Sequence, residues 1–596
     1  MIAIDVETTG VDWTTNRVFG VAIAWIENGE IRSDYFDVRR DPVRYQGLKK
    51  YKDTLIVNHN IKFDMHMLLN DGIELRNCEC TMVRAALIDE HRRDYSLDAL
   101  AKDYLNEAKV SDIYEELAER FGGRATRNAQ MPNLQHAPPE IVAPYAKKDA
   151  ELALRLYIAQ QDLLPPVWEL EKRLFPYIFR MEREGVRVDL EEAERRQQML
   201  NPQIAQMQKQ LDQIAGFAVN PNPSKSIHEL FDPKKGEDGL WRACDGTILP
   251  ETPAGKPSIG SASLQTMKHP AARLIVQIRK LTKTRDTFIG SHIMGHARGD
   301  RVHPNINQTK SDGEGGTGTG RLSYTKPALQ QIPSRDKEIA KIVRPIFVPD
   351  DSMGWSYGDL DQHELRIFHH YVNNPEIVQA YIDDPDLDGH AAVSELTGLP
   401  RNPPPEGGAN AKQMNLAMVF NMGGGELAAA MGLPYTIDTW HGREIKVAGP
   451  EAQRIIDDYY QMIPGVKEIA QKARSIAKSR GYVKTLMGRH IRFPGGEFTH
   501  KASGLIYQGT AGDLNKDNIC RIFEYLDAEC PDARLLLNIH DEYSISLPFG
   551  GASKHLRAIK EEIQRRPEIR VPLRIDFSEP QSNWWDATCA PIITGE

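Results

Sequence analysis

Ser356-Tyr-Gly-Asp-Leu-Asp-Gln-His-Glu-Leu-Arg366 reads as a strand that ends at Asp359 and gives way to a helix near Gln362. A second stretch, Leu535-Leu-Leu-Asn-Ile-His-Asp-Glu-Tyr-Ser-Ile-Ser-Leu547, reads as two strands flanking His540-Asp541-Glu542. A carboxylate at a strand end can hold a metal ion on a rigid floor, although either motif alone is more commonly a polar turn. A third element changes the weighting. Lys412, Leu416 and Phe420 recur every four residues on one predicted helix face, ahead of Gly423-Gly-Gly425. A lysine above two apolar side chains can hold a triphosphate while the apolar surface packs on a base. The plain alternative is a lysine stem lying over core residues.

Working outward, Asp5 and Glu7 stand two apart on a predicted strand, Met1–Val6, so their side chains share a face. Further strands are predicted at Val18–Trp25 and Thr54–Val57, and helices at Phe63–Leu69, Leu97–Leu105 and Ile141–Leu156. The alternation predicts an α/β layer fold over about residues 1–165. Asn60-Ile-Lys-Phe-Asp64 places a carboxylate where a helix follows a strand. Tyr145 and Asp149, at i and i+4, aim a phenol and a carboxylate at one spot. Magnesium takes hard oxygen ligands, and converging carboxylates suit a two-metal phosphodiester site in which Tyr145 orients the attacking water.

The 596-residue length predicts roughly two to four domains. With 40% hydrophobic and 26% charged residues the chain is neither disordered nor fibrous, and it has material for large cores. Its net charge of −9 confines any nucleic-acid contact to local basic patches. Two such blocks exist: seven Lys or Arg without an acid from Lys472 to Arg492, and six from Lys268 to Arg285. Six cysteines show no framework spacing, and the pair Cys78 and Cys80 has no second pair, so free thiols in a reducing cytosol are expected. No run approaches the ~18 apolar residues of a membrane span, and none resembles a signal peptide. A soluble protein of the cytoplasm is expected.

After Pro165-Pro166, a helix-favouring segment from Val167 to Ile214 is predicted to break at Gly185 and Pro202. Residues 220–263, rich in Pro, Gly and Ser, are predicted to be a loop region or a small excursion, with helix resuming over Ala271–Phe288. Gly313–Gly320 lacks the Gly-Lys-Ser/Thr ending of a phosphate-binding loop and is predicted to be a mobile surface loop.

On Asp5, Glu7, Asn60, Asp64, Tyr145 and Asp149, residues 1–165 resemble the proofreading 3′–5′ exonuclease domains of the Asp-Glu-Asp-Asp type with a tyrosine in the last motif. The palm-type motifs above resemble those of family A DNA polymerases, the group containing the large fragment of bacterial DNA polymerase I and many phage replicases. Thr319-Gly-Arg-Leu-Ser323, Leu329-Gln-Gln-Ile-Pro333, Gly488-Arg-His-Ile-Arg-Phe-Pro494 and Gln508-Gly-Thr-Ala511 follow in the family's order. The resemblance implies a multidomain α/β and α+β protein: a ribonuclease-H-like exonuclease at 1–165, then a right-hand polymerase at 166–596. The thumb would lie near 190–300, the fingers near 375–500, and the palm in the remainder.

Carried over residue by residue, Asp359 and Asp541 resemble the metal-binding aspartates, with the Leu360 carbonyl a third ligand. Glu542 sits beside the catalytic aspartate. Glu364 matches the gate against a ribose 2′-hydroxyl, Lys412 the triphosphate lysine, and His390 a second phosphate contact. Leu416 stands where related enzymes set their acceptance of nucleotides lacking a 3′-hydroxyl. Arg321, Gln508 and His540 match primer–template contacts.

Gly408 replaces the family's arginine four residues before the lysine, with Arg401 a candidate substitute. Leu416 and Phe420 replace the family's usual aromatic and tyrosine. Two Mg2+ are implied at each site, with Mn2+ able to substitute. The implied partners are primer–template DNA, deoxynucleoside triphosphates and replisome proteins such as a helicase and a single-strand-binding protein, with the enzyme a monomer.

The start of the exonuclease motif at residue 5 leaves no room for a 5′-nuclease domain, which favours a compact phage replicase acting in the host cytoplasm. Two readings compete, beside a structural DNA-binding protein that the carboxylates in motif positions contradict. One is a single-subunit RNA polymerase, against which Glu364 argues. The other is a nuclease with a non-catalytic DNA-binding C-terminal region, for which Asp359 and Asp541 would be dispensable.

Overall fold

Strand β1 (Ile2–Thr8) carries a core on one face and polar chemistry on the other. Ile2, Ile4 and Val6 pack into an apolar cluster with Phe36, Ile56, Ile61, Met65 and Leu68. Ala3, with Ala22, Ala24 and Val57, makes a floor of small residues against Ala146, Ala150 and Leu154. β1 pairs antiparallel with β2 (Val18–Glu27) and parallel with β4 (Ile56–Asn58). With β3 (Glu30–Asp37) and β5 (Cys78–Cys80), the sheet runs β3-β2-β1-β4-β5. β3 and β5 escape sequence reading because one is a half-exposed edge and the other has three residues. Helix α1 (Ile61–Asn70) follows β4, and α2 (Pro139–Ala159) covers the small-residue floor. The computed structural model describes residues 1–107, 113–222, 225–252, 254–311, 315–404, 409–440 and 443–593.

Helix α3 (Trp168–Glu184) ends at Gly185, whose φ of +64° suits glycine. The next helix, α4 (Leu190–Ala215), runs unbroken through Pro202, contrary to the sequence expectation. Pro202 lies on the solvent face, where the carbonyl four residues back can turn to water, while Ala193, Leu200 and Leu211 stay buried on the other face. α4 packs along α5 (Pro270–Lys283).

Residues 220–263 take the second of the two expected forms, a small folded excursion. It contains the helix Lys225–Phe231, the start of the helix Ser261–Thr266 and a small three-stranded sheet. Phe231, Leu249, Ile259 and Leu264 form a core there with Leu211, Ile275 and Ile278. Sparse apolar residues among many Pro and Gly conceal such a core from a periodicity scan.

The largest core surrounds a four-stranded sheet, ordered β9 (Arg534–Ile539), β10 (Glu542–Pro548), β8 (Met353–Leu360) and β11 (Ile575–Phe577). β8 and β10 are antiparallel with Asp359 opposite Glu542. Glu542 is therefore a strand residue, and the turn predicted for three residues shrinks to His540-Asp541. A short ribbon, β6 (Asn305–Asn307) with β7 (Ser323–Thr325), leads towards Arg321. Around the sheet stand α6 (His363–Val372), α7 (Gly389–Thr397), α8 (Ala411–Val419), α9 (Val466–Arg480) and the 28-residue α10 (Ala502–Glu529).

Candidate active sites

The first site gathers at β1. Asp5 and Glu7 share the face that looks onto α2, the helix that presents Tyr145 and Asp149. Asp64 is buried on α1 and accepts hydrogen bonds from Val6 N–H at 3.1 Å and Asn58 Nδ2 at 3.1 Å. The same Asn58 nitrogen donates to Asp5 Oδ1 at 3.0 Å, so one amide clamps two carboxylates together. Burial pushes the Asp64 carboxyl far above the usual range and the charge of Asp5 adds to it, against the pull of Val6 N–H and Asn58. Burial likewise raises the Tyr145 phenol, followed by the charges of Asp149, Glu7, Tyr114 and Asp5. That Glu7, Asp5 and Asp149 all act on Tyr145 places the five motif residues in one neighbourhood.

Sequence reading missed Asn58. Its only signal was a polar residue in an apolar strand, two before Asn60. Asn60 itself contributes backbone shape, a left-handed φ of +56° at the start of α1.

The second site sits where β8 and the β9–β10 turn meet. His540, at φ +59°, turns the chain so that Asp541 lies beside the end of β8, and Leu360 N–H donates to the Asp541 carbonyl at 3.2 Å. The Asp359 carboxylate reaches the open cleft, yet the dense protein behind it makes desolvation the first cause of its raised pKa. The charges of Asp541, Glu542 and Asp361 come next, and Lys412 opposes them. Burial also raises Asp541 and Glu542. The positive charge of Lys412 acts on Asp359, Asp541 and His390 alike, which puts it over the same cleft.

Arg321 pairs with Glu364, and its charge also reaches Asp541, His540 and His363. Gly512 on α10 lets the Gly320–Arg321 backbone approach: a Cβ there would lie 3.1 Å from Arg321 N. Gln508, one turn earlier, shares that helix face. Leu416 and Phe420 are half-buried along α8 and its end, and Phe420 packs against Gly504 of α10.

The hydrogen bonds around His390 fix its tautomer. Asn415 accepts from Tyr459 O–H at 2.8 Å and donates from Nδ2 to the Gly389 carbonyl at 3.2 Å, which fixes its amide. The same Nδ2 lies 3.2 Å from His390 Nδ1, so Nδ1 accepts and Nε2 carries the proton. Burial, then Lys412, lowers the His390 pKa to about 4. His390 is therefore a neutral donor, and Lys412 supplies the charge. Arg401 pairs with Asp388, and its charge also acts on His390. Gly408 lies outside the described residues.

The basic blocks are thinner than the sequence implied. Arg489 is buried between Glu171 and Asp513, and Arg492 holds Glu90 at 2.6 Å. Lys280 pairs with Asp336 at 2.6 Å and Arg285 with Asp286 at 2.7 Å. Lys472, Arg474, Lys478, Arg480 and Lys484 remain exposed in the first block. Residues 313 and 314 of the glycine loop lie outside those described; Gly315 is exposed, and the loop's end, Gly320, is buried against the Arg489 guanidinium.

Among the described residues, no three His, Cys, Asp or Glu side chains are gathered into a metal-ligand shell. The donor sets nonetheless fit hard divalent cations. Both sites bring together oxygen ligands whose like charges are costly to bury and which a cation would relieve.

Residues 190–586 match DNA polymerase family A, and residues 1–164 match a 3′–5′ exonuclease family. The chain belongs to DNA polymerase family A. This polymerase is 57% identical to DNA polymerase DpoZ of Acinetobacter phage SH-Ab 15497, over 100% of this chain and 98% of that one. It is 42% identical to DNA polymerase DpoZ of Vibrio phage phiVC8, over 98% and 95% of the two chains. Its fold is similar to the POL domain of Pol1 from M. smegmatis, solved in complex with DNA primer-template and dNTP. The TM-score is 0.75 with 21% identity, over 98% of this chain and 95% of that one. It is a DNA polymerase that carries a 3′–5′ exonuclease domain, and neither the RNA polymerase nor the nuclease-only reading is supported. Both families generally work with divalent metal ions. No helix among the described residues is long and apolar enough to cross a membrane.

Proposed function

We propose that this polymerase extends a primer at the Asp359–Asp541 cleft and edits its 3′ end at the Asp5–Asp64 cluster. The carrying observation is that two carboxylate groups gather at separate sheets: Asp5 and Asp64, clamped by Asn58, at the first, and Asp359 with Asp541 at the second. Asp359, Asp541 and the Leu360 carbonyl would hold two Mg2+ or Mn2+ ions at the first, and Asp5, Glu7, Asp64 and Asp149 two at the second. Such ions supply Lewis-acid activation of the attacking oxygen and stabilise the leaving one.

The chain's own residues do the rest. Lys412 offsets triphosphate charge, His390 Nε2–H donates to a phosphate oxygen, and Arg401 stands in for the arginine that Gly408 replaces. Leu416 and Phe420 pack on the incoming nucleotide, and Glu364 fills the space a 2′-hydroxyl would need. Arg321, Gln508 and His540 meet the primer–template, and Glu542 braces the aspartate pair. In the exonuclease site Tyr145 orients water towards the scissile phosphate.

The exonuclease domain spans 1–165 and the polymerase domain 166–596, with thumb 190–300, fingers 375–500 and palm in the remainder. The enzyme acts as a monomer on primer–template DNA and deoxynucleoside triphosphates beside replisome proteins, in the host cytoplasm. Primer extension and 3′ digestion, each measured with the four deoxynucleotides and magnesium on paired site variants, test the assignment.

A further inference from the structure

α1 presents two opposite faces to two different parts of the molecule. Asp64 projects towards β1, where Val6 N–H and Asn58 hold its carboxylate. Lys62 and His66, each two residues from Asp64 and one turn apart, project the other way. Lys62 Nζ donates to Glu182 Oε1 at 2.6 Å and to the Ile306 carbonyl at 2.7 Å. His66 Nε2 lies 3.0 Å from Glu182 Oε2, and Ile306 N–H donates to Glu182 Oε1. Glu182 belongs to α3, in the stretch between the two family matches, and is almost completely buried.

The loop behind Asp5 and Glu7 rests on the same ground. Trp13 stacks on His66 at 4.4 Å, and the Arg183 guanidinium lies 4.8 Å from the Trp13 ring. Asn70 Nδ2 donates to the Trp13 carbonyl at 2.6 Å, and Arg298 donates to Asp12 Oδ2 at 3.0 Å. Two of the three sequence motifs of the exonuclease are thus propped from behind by Glu182, Arg183, Arg298 and Ile306, which lie outside the exonuclease match.

We propose that Glu182 is a positioning residue for the exonuclease: through Lys62 and His66 it sets the rotation and height of α1, and with them the place of Asp64 relative to Asp5. The inference rests on Asp64 being an exonuclease ligand, as proposed above. A buried carboxylate with three donors leaves an expensive vacancy when removed. The Lys62 ammonium would keep only a carbonyl and would move towards water. Asp64 rides on the same turn, and displacements near 1 Å in a catalytic constellation cost on the order of 100-fold in rate. It follows that 3′ digestion depends on α3, which carries none of the proposed exonuclease ligands.

The test uses the full chain with Glu182→Ala, Glu182→Gln and, from the other end of the contact, Lys62→Met. Digestion of a single-stranded oligonucleotide should lose about tenfold or more in kcat with KM little changed for Glu182→Ala, because groups that orient metal ligands from behind typically carry about 10- to 100-fold. Glu182→Gln, which keeps an oxygen for Lys62, should fall between it and wild type. Lys62→Met should fall with Glu182→Ala.

Calorimetric titration with Mn2+, in chains whose Asp359 and Asp541 are replaced by Asn, should show roughly tenfold weaker binding for Glu182→Ala. With Asp359 and Asp541 intact, primer extension by Glu182→Ala should stay within about twofold of wild type. Digestion and Mn2+ affinity unchanged in both Glu182→Ala and Lys62→Met would overturn the proposal. So would a parallel loss of extension, digestion and thermal stability, which marks Glu182 as general packing. Asp64→Ala, run alongside, separates the two levels: if it digests normally, the site assignment itself has failed.

Discussion

Arg321 and Glu364 form an ion pair across the polymerase cleft, the guanidinium donating to Glu364 Oε1. One is proposed to touch the primer–template and the other to exclude the ribose 2′-hydroxyl, so the two tasks share a hydrogen bond. Glu364→Ala should raise the kcat/KM ratio of ribo- to deoxynucleotides by more than tenfold, since the excluded volume vanishes. Glu364→Gln keeps the volume and should leave that ratio low, while extension slows because Arg321 loses its charged partner. The ratio measured on one primer–template for the three proteins decides it; equal discrimination by the alanine variant would remove Glu364 from the gate.

The two carboxylate clusters predict separable activities. Asp359→Asn or Asp541→Asn should abolish extension and leave 3′ digestion of single strands intact. Asp5→Ala with Glu7→Ala should do the opposite. Loss of both activities from either change, in protein with an unaltered circular dichroism spectrum, would contradict two independent sites.

Much of this was legible in sequence because it is local. Asp5 and Glu7 alternate on one strand, Tyr145 and Asp149 lie one helical turn apart, and the Asp359 strand ends where its residues change from apolar to polar. What escaped depends on contacts distant in sequence. Asn58 matters because two carboxylates from different elements meet it, and Glu182 because a helix 120 residues earlier turns one face to it. Arg489 read as a phosphate contact because its charge was visible and its partners, Glu171 and Asp513, were not. Pro202 misled for the opposite reason: a local rule yielded to a long helix whose exposed face tolerates the missing hydrogen bond.

Acid should destabilise the fold through buried neutral histidines. His363 and His369 are almost fully buried, and burial is the first cause that lowers each to about 3. Arg321 and Arg566 oppose a proton on His363, and Arg366 and His390 oppose one on His369. The unfolded chain takes up these protons near pH 6.5, whereas the folded chain refuses them until about 3. Their stabilising contribution is therefore complete above pH 6.5 and shrinks as pH falls through that window. The loss is about 1.4 kcal/mol per pH unit for each histidine, or roughly 2 kcal/mol each at pH 5. Urea unfolding at pH 7.5 and pH 5 should show a smaller pH dependence for His369→Phe than for wild type. An identical dependence would mean that His369 does not stay neutral.

Salt dependence separates tracking charges from structural ones. Arg480→Gln with Lys484→Gln, both exposed beside α9, should weaken primer–template binding regardless of sequence. The slope of log affinity against log salt should flatten by roughly one unit per lost contact. Arg489→Gln should leave the slope alone and instead destabilise the protein by roughly 3–5 kcal/mol, because buried Asp513 loses its guanidinium partner and Glu171 keeps only the charge of Lys516. A slope unchanged by the first pair would return that block to a solvated helix face.

Leu416 makes the sharpest prediction about nucleotide choice. It lies one turn beyond Lys412 and one before Phe420, half-buried on the face of α8 proposed to meet the incoming nucleotide. Leucine offers no hydrogen-bonding group, so a nucleotide lacking its 3′-hydroxyl finds no replacement for that hydroxyl's contacts, and strong discrimination against dideoxynucleotides is expected. Leu416→Tyr places a phenol there and should raise dideoxynucleotide use relative to deoxynucleotide. Leu416→Phe adds the same ring without the hydroxyl and should leave the ratio low. A buried polar contact of this kind is worth ~1 kcal/mol or more, enough for a several-fold to tenfold change. The kcat/KM ratio for the two nucleotide types, measured on one primer–template for wild type and both variants, reads the effect directly. Equal shifts for tyrosine and phenylalanine would show that ring size rather than the hydroxyl governs the site, leaving Leu416 as packing under the base.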